Sequence, residues 1–542
     1  MEQSSNSIEP KDKDTFDQDT SEDALLEALG YHAEFKRSFG LLGMIGFSFS
    51  IVTCWTALSG VLIIGVESGG PPVMIWSWLG ICAVTLAVAY SLAEMCSAYP
   101  VAGGQYSWVA VLAPKRIARG MSYISGWFML IGILAMGATN NFIGANFILG
   151  MANLANPDYV IERWHTVLVT YLIAFLAMTS NIFLTKFLDR LSRFILVWNI
   201  VSFFVVIITI LACNDNKQSA SFVFSDFQNF TGFSSSYTAI LGIVQSAFGM
   251  CCYDAPSHMV EEMKQARKSA PRAIVMSVYL GAITGFCFLV AVCFCIGDLE
   301  STATSSTGVP LIQIFYDSTG SVRGACALTS LITVIVLVCA NSLMAEGGRA
   351  VFAFARDHGL PFSNIWSTVE RKKKVPVFAL MLTTTVQIAF NSIYFGNLTG
   401  FNTVITVATF GFYISYAMPL LARLLSRVTN PSDPSHSAGL GGPYSLGRWG
   451  IPLNLLGFVF LVFNGTIFNF PTIKPVNSDT MNYTPAAIGV IMLISIITWV
   501  TTGHRYFTGP EAGNVIRLVQ GVEGENANAS AVEGEKNKEH GS

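Results

Sequence analysis

The chain has 542 residues, 52% of them hydrophobic and only 12% charged, with a formal charge of −3. Soluble domains carry about 25% charged residues, so half the usual charge is missing and a water-soluble class is excluded. The near-neutral balance, without a clustered basic footprint, also excludes nucleic acid as a partner.

In chain order, residues 1–20 are polar, acidic and poor in aromatics, which predicts disorder. Ser21-Glu-Asp-Ala-Leu-Leu-Glu-Ala-Leu-Gly30 follows. A Ser with acidic neighbours starts a helix and a Gly stops it, so a short amphipathic helix along the inner membrane face is expected. Residues 1–36 thus form a cytosolic tail with no signal-peptide pattern. From Leu41 to Trp499 run twelve apolar stretches. A hydrocarbon core about 30 Å thick needs roughly 20 apolar residues in a helix. The spans are predicted at 41–66, 72–96, 119–151, 165–185, 194–213, 237–257, 273–297, 324–352, 376–395, 400–422, 451–471 and 485–503. Spans three and eight are long enough to imply tilt or extension into water. The membrane-spanning body is 37–508, and the polar 509–542 reads as a second disordered cytosolic tail.

The placement of Lys and Arg predicts orientation. With the amino terminus in the cytosol, the inward connections hold Lys115, Arg116 and Arg119; Lys186, Arg190 and Arg193; Lys264, Arg267, Lys268 and Arg272; Arg356 and Arg371 to Lys374; Arg423, Arg427 and Arg448. The outward ones hold only Arg163, Lys217, Arg323 and Lys474. Both termini are therefore expected in the cytosol. The sequons at Asn229 and Asn482 then fall outside and are candidate glycosylation sites. The eleven cysteines show no metal-ligand spacing and read as small apolar filler; no metal or cofactor is implied.

Two spans stand out. Span one carries Gly43-Met-Ile-Gly-Phe-Ser-Phe-Ser-Ile-Val-Thr-Cys-Trp-Thr-Ala-Leu-Ser-Gly60, and span six carries Gly242-Ile-Val-Gln-Ser-Ala-Phe-Gly-Met-Cys-Cys-Tyr-Asp-Ala-Pro256. Both are rich in small residues and lie five spans apart, the pattern of interrupted helices in inverted-repeat transporters. An unwound turn in lipid is tolerated only where it lines a cavity. The alternative is close helix packing through small residues.

Three ordered blocks carry a resemblance. They are Glu67-Ser-Gly-Gly-Pro-Pro72 with Leu92-Ala-Glu-Met-Cys-Ser-Ala-Tyr-Pro-Val-Ala-Gly-Gly-Gln-Tyr106; Tyr253-Asp-Ala-Pro-Ser-His-Met-Val-Glu-Glu262 running to Ala270-Pro-Arg-Ala-Ile274; and Arg349-Ala-Val-Phe-Ala-Phe-Ala-Arg-Asp-His-Gly-Leu-Pro361 with Lys374-Val-Pro376. Over nearly all of 37–508 the chain resembles the amino acid–polyamine–organocation (APC) superfamily, most of all fungal permeases for choline, γ-aminobutyrate and related amines. The resemblance implies an all-α integral membrane protein of twelve transmembrane helices, a LeuT-like inverted 5+5 repeat plus two. It implies alternating access without ATP, import of a small amine or amino acid, and proton symport. The chain independently lacks a Gly-x-x-x-x-Gly-Lys-Ser/Thr phosphate loop.

The break in span one is expected between Phe49 and Ala57, with the hydroxyls of Ser50 and Thr53 and a helix amino terminus suited to a carboxylate. Trp55 either stacks on an ammonium group or packs against a neighbouring helix. The break in span six is expected between Gln245 and Cys252, so Gln245, Phe248, Gly249 and Cys252 complete the substrate candidates. The resemblance puts a gating aromatic at Phe248, where choline carriers often have Trp. Glu94, Asp254 and Glu346 are the gating or ion-coupling candidates, because acids inside a membrane face cavities or partners. Glu346 is either an i, i+3 partner of Arg349 or a counter-ion or proton carrier. Asp254 and Glu261 suit an inner gate with basic residues of other loops. Thr139, Asn140, Asn141 and Asn146 either bond neighbouring helices or line the pathway. Asp357, Gly359 and Pro361 predict a sharp helix end.

Two other function classes compete. A transporter-like nutrient sensor would use its tails for signalling, but both are short and carry no binding module. An intramembrane enzyme needs a paired catalytic constellation, and the seven histidines fall mostly in loops and tails, such as His258, His358, His436 and His504.

Overall fold

The computed structural model describes residues 26–509 apart from 28, 29, 33, 300, 301, 303, 304, 371, 397, 433–438 and 479, and apart from the side chains of 398–401. The tails expected at 1–20 and, from residue 510 on, at 509–542, and the start of the 21–30 helix, lie outside the described residues. The end of that helix is seen. Gly30 sits at φ 88°, its N–H donates to Glu27, and the N–H of Tyr31 donates to Leu26 at 3.0 Å. This paired 5→2 and 6→1 bonding is the Schellman end that a left-handed Gly permits.

Eleven helices among the described residues are long and apolar enough to cross a membrane. The twelfth crossing is span six, whose first half, Ser235–Gly249, has 15 residues because it is interrupted. The continuous spans are Gly70–Ala98, Lys115–Ala155, Arg163–Phe183, Leu188–Cys213, Ala266–Cys295, Val322–Arg356, Val377–Ser392, Leu398–Thr429, Gly450–Ile467 and Thr484–Thr498. Spans three and eight run for 41 and 35 residues, about 60 and 50 Å at 1.5 Å per residue, well beyond the membrane core. Two further helices, Gln105–Leu112 and Pro310–Thr319, lie where the sequence reading has only connections.

Four of the five pairs of spans set five apart are in contact. Span one touches span six, two touches seven, three touches eight and four touches nine, while eleven and twelve lie against ten. That is the contact pattern of two inverted five-helix repeats with two helices added. Spans three and ten cross closely at Gly132 and Gly411: a Cβ on Gly411 would meet Gly132 Cα at 2.8 Å. Small residues let membrane helices approach in this way.

Which face is inside is written in polarity. Span five turns Phe194, Val197, Val201, Phe204 and Ile208 outward and buries Asp189, Ser192 and Asn199. Apolar side chains outside and polar ones within is the pattern of a multi-pass membrane protein.

Candidate functional site

Span one is helical over Leu41–Ile51, opens at Val52 and Thr53, and resumes as Cys54–Gly60 and Leu62–Glu67. Span six is helical to Gly249, opens through Met250 to Asp254, and resumes as Ala255–His258. The second opening lies a few residues beyond the 245–252 expected from sequence. Pro256 explains the restart, because its fixed φ and missing N–H suit the first turn of a helix. Within the opening Cys252 has φ +64°, a left-handed conformation that costs a residue with a Cβ about 1–2 kcal/mol. The two broken spans meet tightly at Gly249, where a Cβ would lie 2.8 Å from Leu58 and 3.0 Å from the ring of Trp78.

A cavity of about 30 Å³ lies between the breaks. Thr53, Thr56 and Ala57 line it from span one, and Phe248, Gly249, Cys251 and Cys252 from span six. Met136, Asn140 and Ile143 close it from span three, and Val336, Cys339 and Leu343 from span eight. This volume holds about two water molecules, so the conformation is a nearly closed one.

Four of the seven substrate candidates, Thr53, Phe248, Gly249 and Cys252, are on this wall. The other three are not. Ser50 bonds the hydroxyl of Ser342 at 2.8 Å and the carbonyl of Phe47. Trp55 takes the packing alternative: its indole N–H donates to Asn199 at 2.7 Å, and Phe203 and Phe288 enclose its ring. Gln245 is fully buried beside Gly65, with neither amide atom bonded among the described residues.

A protein-family model described as amino acid permease matches residues 39–495. The chain belongs to the amino acid permease family. It is 68% identical, over 82% of its own length and 97% of the relative's, to a Macrophomina phaseolina protein provisionally named an amino acid/polyamine transporter. It is 31% identical to the choline transporter of Saccharomyces cerevisiae, over 87% of this chain and 82% of that one. An amino-acid permease of Arabidopsis thaliana is 28% identical over 90% of this chain and 95% of its own. The APC resemblance is thereby established, and the chain is a multi-pass membrane permease rather than an enzyme.

In this permease the wall residues missed by sequence fall into two kinds. Thr56 carried a signal, a third hydroxyl inside the expected break; it bonds the carbonyl of Thr53 at 3.0 Å. Met136, Ile143, Val336, Cys339 and Leu343 carried none, being apolar residues of apolar helices. Asn140, one of the span-three amides, faces the cavity and donates to the carbonyl of Val336 at 3.0 Å. Its neighbour Asn141 instead bonds Gln387 at 3.1 Å, a helix-to-helix contact.

Below the cavity, toward the basic end of the bundle, the acids cluster. Glu346 and Arg349 do not pair with each other. Arg349 reaches Glu262 at 2.8 Å, while neither oxygen of Glu346 has a partner among the described residues. Asp254 pairs with no Lys or Arg among the described residues; it accepts hydrogen bonds from Gln105, Tyr416 and His258. Glu261 does meet a basic residue of another element, Arg356, at 2.9 Å. Glu94 of span two forms a buried ion pair with Arg423 of span ten and accepts from the N–H of Leu446 at 3.1 Å. Three ion pairs, two of them fully buried, therefore join elements at the basic end.

The chain ahead of span one crosses the same end. The backbone N–H groups of Ser38 and Phe39 donate to Glu262, and that of Lys264 returns to Phe39. Phe35 stacks edge-on against Phe352 at 5.1 Å, and Arg356 lies 4.1 Å over the ring of Tyr31. Burial pushes the Tyr31 phenol well above its ordinary range, and the neighbouring Asp357 adds to the effect.

Proposed function

We propose that this permease is a secondary active importer of a small amine or amino acid, such as γ-aminobutyrate, choline or a related nitrogenous solute. It works by alternating access at the plasma membrane, with both termini in the cytosol and the proton gradient as its driving force. The observation that carries the reading is a small, nearly closed cavity between two helices that both lose their winding at mid-span, above an end where three ion pairs join the elements. A cavity this small admits solute only if one end of the bundle opens and it widens.

The chemistry of the wall supports a nitrogenous solute. The Thr53 and Thr56 hydroxyls and the Asn140 amide offer hydrogen bonds, and the Phe248 ring offers its face to an ammonium group for about 0.5–2 kcal/mol. The names of the choline and amino acid/polyamine relatives agree with that class. Thr53, Phe248, Gly249 and Cys252 touch the solute in this reading; Ser50 and Trp55 tie the first broken span to spans eight and five, and Gln245 packs beside it at Gly65; Glu94 belongs to the inner gate. The strong Lys and Arg bias sets the basic end in the cytosol. The opposite end then carries Asn229, which is exposed and donates one amide hydrogen to the carbonyl of Phe233, and Asn482, which is half-buried and donates to the carbonyls of Phe468 and Phe470. Asn229 is accordingly the better glycan acceptor.

The test is competition uptake in cells lacking their own permeases, with a panel of amines and amino acids at several pH values. Saturable uptake blocked by one class identifies the solute. Absence of uptake across the panel, with the protein present at the plasma membrane, overturns the reading.

A further inference from the structure

Asp254, His258 and Glu346 come from two different spans, are each at most 1% exposed, and bring one polar atom apiece within 4.8 Å of one another. Their hydrogens can be counted. His258 Nδ1 lies 3.0 Å from the carbonyl of Ala102. A carbonyl only accepts, so Nδ1 carries a hydrogen. The other ring nitrogen, Nε2, lies 3.2 Å from Asp254 Oδ2. A bare nitrogen and a carboxylate would repel, so a second hydrogen lies between them. Asp254 also accepts from the Gln105 amide and the Tyr416 hydroxyl. Three donors around one carboxyl suit an aspartate facing an imidazolium, a pair with no net charge.

Glu346 is left over. It is fully buried, and neither of its oxygens is bonded among the described residues; Arg349 turns its Nε to Glu262 and leaves its own Nη2 without a partner among them. A bare carboxylate in such a place costs several kcal/mol and calls for a cation. A metal ion fits poorly, because the Gln105 and Tyr416 hydrogens already point at the Asp254 oxygens. A proton fits without rearrangement.

Position gives the cluster a task. Val336, Cys339 and Leu343 of span eight line the cavity, and Glu346 is the next residue on that face, one turn nearer the basic end. Cys252 of the cavity wall lies within electrostatic reach of both Asp254 and Glu346. One turn further on, Arg349 and Glu262 form one of the closing ion pairs. The cluster therefore sits between the solute cavity and the gate. We infer that Asp254, His258 and Glu346 form the binding site for the coupling proton, which Glu346 carries and the Asp254–His258 pair positions; this rests on the permease reading above.

With the basic end shut, the site is net neutral with Glu346 protonated. Opening that end admits water, the Glu346 O–H bond breaks to water, and the site becomes singly negative. The other titratable groups facing it are the thiols of Cys251, Cys252 and Cys339 and the phenols of Tyr253 and Tyr416. Thiols and phenols ordinarily titrate near ~8.5 and ~10, so neither is the group that exchanges a proton on the acid side.

The test uses the full chain in lipid vesicles and reads the proton directly. In pH-difference infrared spectra the wild-type protein is expected to show a protonated-carboxyl band that bleaches on alkalinisation. Glu346→Gln should lose that band, and His258→Gln and Asp254→Asn should each shift its midpoint. In flux measurements with labelled γ-aminobutyrate and choline, Glu346→Gln should lose accumulation driven by an imposed pH gradient, and any remaining solute exchange should be insensitive to pH. A Glu346→Gln spectrum identical to wild type overturns the inference, as does wild-type accumulation in that variant. If neither solute moves in the wild type, the choice of solute falls, while the infrared band still decides the proton site. Should Glu346→Gln not fold, unchanged midpoints in both other variants overturn it equally.

Discussion

Tyr31 donates its phenol hydrogen to Asp357, 326 residues away, at 2.9 Å from either carboxylate oxygen. Tyr106 donates to the same carboxyl at 2.8 Å. One acid at the end of span eight thus holds the chain ahead of span one and the short helix after span two. The end itself differs in detail from the sequence expectation. His358, not Gly359, takes the left-handed position, at φ 60°, and Gly359 supplies the N–H that reaches back to Phe354 at 2.8 Å.

Burial pushes the Asp357 carboxyl above the ordinary carboxylate range, against the pull of Arg356 and of both phenol hydrogen bonds. A raised folded-state value on an acid makes ionisation unfavourable to the fold. Its stabilising contribution is full below the ordinary aspartate value of ~3.9 and is lost as pH rises through the folded value. Asp357→Asn still accepts the phenol hydrogens but carries no charge. Its unfolding temperature should vary less than that of wild type between mildly acidic and neutral pH. Asp357→Ala leaves two buried phenols without an acceptor and should cost about 1–3 kcal/mol for each. Coincident pH profiles for Asp357→Asn and wild type would remove the buried-charge argument.

Asn140 fixes the cavity wall across two spans through its bond to Val336. Asn140→Ala removes one hydrogen bond, worth about 0.5–1.5 kcal/mol. If the solute uses the same amide, KM should rise roughly 2- to 12-fold at unchanged surface expression. Initial uptake rates against solute concentration measure it, and an unaltered KM would confine Asn140 to a structural role.

These residues show what a sequence can and cannot announce. The breaks are legible because they concentrate small residues, and Pro256 restarts a helix in a way few other residues can. An amide such as Asn140 is conspicuous because it is expensive in a membrane helix. Met136, Ile143, Val336, Cys339 and Leu343 are silent for the opposite reason. Spans three and eight are 83% and 61% buried over their apolar windows, so apolar residues occur on every face and periodicity cannot mark the one that meets the cavity. His258 reads as a loop residue because a sequence does not show that span six resumes as a single buried turn. Trp55 shows the limit of composition: an aromatic in a break suits a ligand or a neighbour equally, and the orientation of one short helical segment decides between them.

Phe248 is the one aromatic ring on the wall among the described residues, so its truncation should separate solutes by charge. Phe248→Ala removes about 0.5–2 kcal/mol of ring–cation attraction. KM for a cationic amine should rise roughly 2- to 30-fold, and a zwitterion of similar size should suffer less. Phe248→Tyr keeps the ring face and should stay near wild type. Equal losses for both solute classes would reduce Phe248 to a space-filling role.

The Glu94–Arg423 pair joins spans two and ten with side chains 0% and 1% exposed. Breaking one partner of such a pair leaves an uncompensated buried charge and costs about 3–5 kcal/mol. Glu94→Gln alone and Arg423→Met alone should therefore lower the unfolding temperature and the amount of protein at the membrane. The double variant removes both charges together and should recover most of that loss, because two neutral groups of similar size carry no desolvation penalty. It should not recover the gate. With one of three ion pairs gone, the basic end should open more often, and Cys251, Cys252 and Cys339 on the cavity wall should react faster with a thiol reagent applied from that side. Stability restored together with faster labelling identifies the pair as a gate. Stability restored with labelling at the wild-type rate would make it a structural tie between two spans and leave closure to Glu261–Arg356 and Glu262–Arg349.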